Sequence, residues 1–422
     1  MLSVILLVSL LAVFTAGAGA DYYNSRIADK LNAKAYLLYN TDTDIMVFSS
    51  GADELLQSGS LVKLTTALVV MEHCSDLSEN IAVSYDAIAY VSGYTCGLSE
   101  GEVISVENLL YCMLVDSAND AANVLAVHFG GSVSGFVKMM DNYAASIGCT
   151  STVYGNPSGL DDPGHHTTAN DVLKIARKVI ENEVLFKMTD TVEYIVPATN
   201  KHAERKLSTN LSIIDSGSYT YYYKYAHGLK YGNTDAALNC AVSLATYNGY
   251  TYIGVILGAP RADYNNDGAN DKTALFELTR MFKWAFSNMK LMVVADTSTI
   301  IKDVPVLLSA QTDHVRLVPR QEVTALLMDD VDSASFAYEC DVNPEIKAPV
   351  SKGDVMGSAK IKYAGDTIAD VVLVAGESVK RSTSMYVAYC LKKLFTSVWF
   401  YGIIVAGALT VVVVVTLRKR KY

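Results

Sequence analysis

Helix-like and strand-like patterns alternate along the first two-thirds of this chain. Ala35–Asn40 and Asp44–Ser49 are short β-prone runs on either side of the turn Thr41-Asp42-Thr43, which predicts a strand pair. Leu61–Cys74, Val106–Leu114, Ala121–Phe129, Val133–Ile147 and Asn170–Ile180 carry helical patterns. Cys240–Tyr247 and Tyr252–Gly258 predict adjacent strands, and Lys272–Phe286 a closing helix. Strands at both ends with helices between them predict an α+β domain, one sheet covered by helices, over residues 21–290.

The texture changes after Lys290. Val304–Leu308, Val315–Leu317, Val323–Leu327, Lys360–Tyr363 and Val371–Val374 are short β-prone stretches separated by polar or glycine-containing breaks. They predict a small all-β domain over residues 291–380, followed by a connector over 381–397. Val398–Leu417 is uncharged and strongly apolar. About 20 such residues cross a hydrocarbon core of about 30 Å. Trp399, Phe400 and Tyr401 mark one edge, and a basic tail over 418–422 marks the other, which the positive-inside rule assigns to the cytoplasm.

At the opposite end, Leu2–Phe14 is apolar, and Ala18-Gly19-Ala20 precedes Asp21. That reads as a secretory signal peptide over residues 1–20, cut after Ala20, although no Lys or Arg precedes the apolar run. The competing reading is an uncleaved N-terminal anchor. Together the two ends predict an exported body, a single C-terminal transmembrane helix in membrane lipid and a short cytoplasmic tail.

Composition narrows the function. Of 422 residues, 51% are hydrophobic and 18% charged, enough for a sizeable core. The formal net charge of −10 argues against a nucleic-acid partner, which would want a basic surface. The seven cysteines show no C-x-x-C spacing; they read as small buried hydrophobes with room for one disulfide.

Three short motifs carry candidate chemistry. Ser60 and Lys63, in Gly59-Ser60-Leu61-Val62-Lys63, share a helix face. A serine is a weak nucleophile until a base takes its proton, and a lysine serves when burial depresses its pKa. Ser117-Ala118-Asn119 falls between two helices, placing a hydroxyl and an amide in one loop; the competing reading is a helix N-cap ahead of Ala121. Gly228-Leu229-Lys230-Tyr231-Gly232-Asn233-Thr234 precedes a strand-like run from Ala236 to Ala245, and a lysine and glycine on a strand edge let a peptide lie alongside as an added strand.

The order S-x-x-K, then S-x-N about 55 residues on, then K-x-G more than about 100 further, resembles the active-site serine penicillin-recognising family. Within it the chain is similar to low-molecular-weight penicillin-binding proteins, the serine-type D-alanyl-D-alanine carboxypeptidases. Gly155-Asn156-Pro157-Ser158-Gly159-Leu160, the stretch Gly258–Phe286, and a small β domain ahead of a C-terminal membrane attachment fit the same pattern. The resemblance spans residues 30–380. It implies a penicillin-binding/β-lactamase-like transpeptidase domain that removes the terminal D-Ala of peptidoglycan stem pentapeptides and is inhibited covalently by β-lactams. Ser60 would attack the D-Ala-D-Ala carbonyl, Lys63 would take its proton and Ser117 would relay one to the leaving D-alanine. Asn119, Lys230, Tyr231, Gly232 and Asn233 would bind substrate, with Lys230 near its terminal carboxylate. The backbone N–H groups of Ser60 and Asn233 would form the oxyanion hole. No metal or cofactor is called for. The expected location is the bacterial cell membrane, with the catalytic domain on the extracellular side.

The chain departs from the family at two positions. Tyr231 stands where the family has the Thr of K-T-G, and its hydroxyl lies several ångströms further out, about a ring's length. His227 stands where the family often has an acid. Alternatives are a β-lactamase or DD-endopeptidase of the same fold, or a non-catalytic wall-binding homologue. No E-x-x-L-N stretch lies between Asn119 and Lys230, which disfavours a class A β-lactamase. Asp263-x-Asn265-x-Asp267-Gly268 matches half a calcium loop, but Ala274 stands at its twelfth position, so it reads as a polar surface loop. His165-His166 reads as a loop pair. Tyr221-Tyr222-Tyr223 with Tyr225 reads either as a groove lining or as a strand with both faces partly covered.

Overall fold

The computed structural model describes residues 31–264 and 268–419. The signal-peptide segment, Asn265 and Asp267 of the calcium-like loop, and the last residues of the basic tail lie outside this set. The chain divides into two compact units between Met289 and Lys290.

The first unit is built on a five-stranded antiparallel sheet in the order Ile45–Ser50, Ala35–Asn40, Tyr250–Ala259, Leu238–Tyr247, Ala226–Thr234. Its strands read as nearly continuous apolar runs because both faces are covered. Side chains alternate across a strand. Leu37, Tyr39, Ile253, Val255 and Leu257 join the core of the helical cluster. Tyr252 and Phe48 turn the other way, onto Phe286 and Trp284 of the closing helix Thr273–Asn288. The strand Leu238–Tyr247 differs from the run expected from Ala236: it begins at Leu238, and residues 235–237 form the turn out of the K-x-G strand.

The helix Val62–His73 runs through the middle of the helical cluster. Nine consecutive residues from Val62 to Val70 are buried. A helix enclosed on all sides needs no polar face. Its two buried threonines are satisfied by the 154–158 segment: Thr65 Oγ1 hydrogen bonds Tyr154 Oη at 2.6 Å, and Thr66 Oγ1 donates to the Pro157 carbonyl at 2.7 Å. The surrounding helices begin with side-chain caps from Ser105, Ser132 and Thr168.

The tyrosine run is not a strand. Tyr221–Tyr225 is irregular chain, and its rings pack on Phe276, Phe282 and Phe286 of the closing helix. The pull that shapes it is tertiary, which local β propensity does not register. His165 is buried with its Nδ1 bonded to the Val153 carbonyl, and His166 pairs with Val153 through the backbone.

In the second unit a six-stranded sheet runs Ala337–Val342, Val355–Tyr363, Asp366–Ala375, His314–Pro319, Lys302–Leu307, Ile346–Lys347, with the last pair parallel. A two-stranded ribbon joins Met289–Ala295 to Val323–Met328. The strand Ala337–Val342 was not expected: its half-exposed sequence AYECDV carries too few apolar residues to announce itself. The stretch expected as a connector holds a helix, Thr383–Phe395, capped by Ser382. The helix Val398–Lys419 follows, with mean hydropathy 2.5 over a span long and apolar enough to cross a membrane, and the side chains from Tyr401 to Arg418 are exposed. All seven cysteines are free thiols; Cys112, Cys149 and Cys240 are buried and Cys390 is exposed.

Candidate active site

Ser60 lies in a single 3-10 turn, Gly59–Leu61, that leads directly into the Val62–His73 helix. Lys63 follows one turn later on the same face. Its Nζ donates to Ser60 Oγ at 3.2 Å, to Asn119 Oδ1 at 2.8 Å and to the Ser158 carbonyl at 2.6 Å. These contacts use the three protons of an ammonium. Lys63 has no exposed surface. Burial holds its pKa well below the usual lysine value, the positive charge of Lys230 pushes the same way, and Asp120 opposes them.

Ser117 sits at φ 64°, a left-handed conformation uncommon for serine. That turn aims its Oγ at Ser60, to which it donates at 3.1 Å. Asn119 is not a cap. The helix it opens has Ala118 at its N-cap and no side-chain cap bond. The Asn119 amide instead spans the cleft, accepting from Lys63 and donating to the Ser92 carbonyl at 2.8 Å. Lys63 and the S-x-N loop are thus fastened to each other around the Ser60 hydroxyl.

The opposite wall is the strand Ala226–Thr234. Gly232 passes so close to the Gly59–Leu61 turn that a Cβ there would lie 2.6 Å from Ser60 N. Gly159 is needed as well: at φ 81° its Cβ would fall 1.9 Å from the Gly59 carbonyl oxygen. The Lys230 Nζ donates to the Leu114 carbonyl at 3.1 Å and to Asn210 Oδ1 at 3.2 Å. Burial lowers its pKa to about 7, with Asp116 opposing and Lys272 reinforcing the shift. Tyr231 keeps its ring in the cleft wall, while its hydroxyl donates to Asn239 Oδ1 at 2.5 Å. His227 finds its acid elsewhere in the chain: its Nδ1 lies 3.3 Å from Asp190 Oδ2, and that hydrogen bond raises its pKa.

Ser60, Ser117, Asn119, Tyr231 and Asn233 all line one cleft of about 370 Å³, together with Tyr94, Ser158, Asn210 and Thr234. Lys63 and Lys230 lie just beneath it. Motif spacing missed several contributors. Ser158 holds Lys63 through its carbonyl, Asn210 holds Lys230, and Arg261 reaches Asn233 Oδ1 at 3.4 Å and the Thr234 carbonyl at 3.1 Å. The Gly155–Leu160 stretch was a signal for Ser158; Asn210 and Arg261 left none.

Residues 23–261 match the family model described as D-alanyl-D-alanine carboxypeptidase. The chain belongs to the D-alanyl-D-alanine carboxypeptidase family. Residues 289–381 match a second model, the C-terminal domain of penicillin-binding protein 5. Among curated relatives, D-alanyl-D-alanine carboxypeptidase DacF of Bacillus subtilis is 26% identical, covering 90% of this chain and 95% of its own. DacC of Escherichia coli is also 26% identical, covering 84% of this chain and 86% of its own. The fold is shared with D-alanyl-D-alanine carboxypeptidase DacD from Francisella tularensis, at TM-score 0.64 and 21% identity, covering 84% of this chain and 95% of that one. Penicillin-binding protein 5 from Haemophilus influenzae has the same fold, at TM-score 0.59 and 22% identity, covering 83% and 98%. Family members are thus similar along nearly the whole chain, including the β-rich second unit.

Proposed function

We propose that this family member removes the terminal D-alanine from peptidoglycan stem peptides through an acyl-enzyme on Ser60. The observation that carries the reading is the chain of contacts from Lys63 Nζ to Ser60 Oγ to Ser117 Oγ, all at one cleft. Burial lowers the Lys63 pKa, and in its neutral form Lys63 turns its lone pair to Ser60 and takes the proton as Oγ attacks the penultimate D-Ala carbonyl. The N–H groups of Ser60 and Asn233 face the developing oxyanion. Ser117, in contact with Ser60, gives its proton to the departing D-alanine amine and recovers one from Lys63, which is left neutral for the second step. Asn119 and the strand edge Lys230-Tyr231-Gly232-Asn233 hold the peptide, and Lys230 supplies positive charge toward its carboxylate. Water then attacks the ester by the reverse route and frees Ser60. β-Lactams, which present a reactive amide carbonyl in a strained ring, acylate Ser60 and stay there.

The apolar Val398–Lys419 helix supports a single-pass anchor in the bacterial cell membrane. The signal-like start and the basic end support an orientation with the body outside. The test uses the full chain in detergent with a diacyl-Lys-D-Ala-D-Ala peptide. Release of free D-alanine, abolished in Ser60→Ala, is expected. Equal release from wild type and Ser60→Ala, or none from wild type, would overturn the proposal.

A further inference from the structure

Lys272 belongs to none of the three motifs, yet it is tied into the wall behind Lys230. Its Nζ donates to the Asn210 carbonyl and to Ser212 Oγ, each at 2.7 Å. The ammonium lies 5.3 Å from the Tyr231 ring centre and 6.0 Å from that of Tyr221, and the Lys272 N–H donates to Tyr221 Oη at 3.1 Å. Asn210 is the shared partner. Its carbonyl accepts from Lys272, its side-chain oxygen accepts from Lys230, and it lines the cleft.

We propose that Lys272 is a positioning residue for the carboxylate-binding end of the cleft, holding Asn210 so that Asn210 in turn holds Lys230. This rests on the DD-carboxypeptidase reading of the cleft. A ring at position 231 fits the arrangement, because it covers the Lys272 ammonium with a π face, a favourable contact that a threonine cannot make. Lys272 also acts through its charge. It is a like-charged neighbour of Lys230 and helps to keep that pKa down. The other charged groups facing Lys230 are Asp116 and Lys63; Asp215 faces Lys272, and Arg261 lies on the Tyr231 side.

The experiment compares wild type, Lys272→Met, Lys272→Arg and Ser212→Ala as full chains in detergent. Two readouts are taken: steady-state D-alanine release from pH 5 to 10, and NMR titration of isotope-labelled lysines with Lys230 assigned by mutation. Lys272→Met is expected to raise KM about tenfold, the scale of losing one charge-assisted contact, with kcat changed less than about threefold. The alkaline limb of kcat/KM and the Lys230 titration should both move to higher pH, since a repelling charge is gone. Lys272→Arg should restore the position of both. Ser212→Ala, which leaves the lysine in place, should give a smaller KM rise and guards against loss of fold in the Met variant. An unmoved Lys230 titration in Lys272→Met, or an arginine variant that behaves like methionine, would overturn the proposal. A wild type that releases no D-alanine would instead sink the functional reading, while the NMR titration would still decide whether Lys272 governs Lys230.

Discussion

Gly232→Ala is the smallest change that should disable the site without removing any functional group. A Cβ built at Gly232 lies 2.6 Å from Ser60 N, 3.2 Å from the Ser58 carbonyl oxygen and 3.3 Å from Ser60 Cα. Ordinary contacts between heavy atoms need about 3.5–4.0 Å, so strand and turn must part by roughly 1 Å. All three crowded atoms are backbone, so no side chain can swing aside. A misplacement of this size costs about a hundredfold in rate. It falls on the Ser60 N–H, the proposed oxyanion donor, and loss of one such donor is worth about 100–1000-fold in kcat, or about 2.7–4 kcal/mol. The expected fall in kcat/KM is therefore about two to three orders of magnitude. Overpacking should also lower stability by about 1–3 kcal/mol. The assay is D-alanine release coupled to D-amino acid oxidase, with the acylation rate by a fluorescent penicillin measured separately and folding checked by urea denaturation. A folded variant acylating within threefold of the wild-type rate would refute the claim that Gly232 keeps the strand in register with the nucleophile turn.

Other outcomes follow from the same geometry. Lys230 is protonated below about pH 7 and neutral above it, so KM should rise as pH passes that value, and Lys230→Met should flatten this dependence. The sign for stability is opposite: above pH 7 the unfolded chain binds more protons at this lysine than the folded one. Wild type should therefore gain stability from about pH 7 towards 10, and Lys230→Met should gain less, as urea midpoints at pH 7, 8 and 9 would show. Arg205→Met should cost about 3–5 kcal/mol, because it leaves the fully buried Glu102 carboxylate without the Arg205 donor now at 2.8 Å; a loss below about 1 kcal/mol in urea melts would contradict this. Tyr231→Phe removes the donor to buried Asn239 and should lower stability by about 1–3 kcal/mol by the same measurement.

Much of the first unit was legible because its signals are local. The strand pair around Thr41-Asp42-Thr43 and the helices Val106–Leu114 and Val133–Ser146 lie within a residue or so of where the pattern placed them. The S-x-x-K pair was legible because three residues along a helix is a fixed geometry. What the sequence could not announce was contact at a distance. Ser158 reaches Lys63 across 95 residues, and Lys272 reaches Asn210 across 62. Neither has a spacing rule, since both depend on which loops the tertiary fold brings against which helix. The tyrosine run misled because burial against the closing helix, rather than a strand partner, decides its shape. The Thr383–Phe395 helix went unseen because its short amphipathic pattern runs straight into the apolar span that follows.

In the proposed mechanism Ser60 is the nucleophile, prepared by Lys63 and the S-x-N loop. Peptide mass spectrometry after labelling the full chain with a fluorescent penicillin tests it most directly. A single stoichiometric adduct is expected on the peptide containing Ser60, absent from Ser60→Ala and formed much more slowly in Lys63→Met. An adduct on another residue, or one that persists in Ser60→Ala, would contradict it.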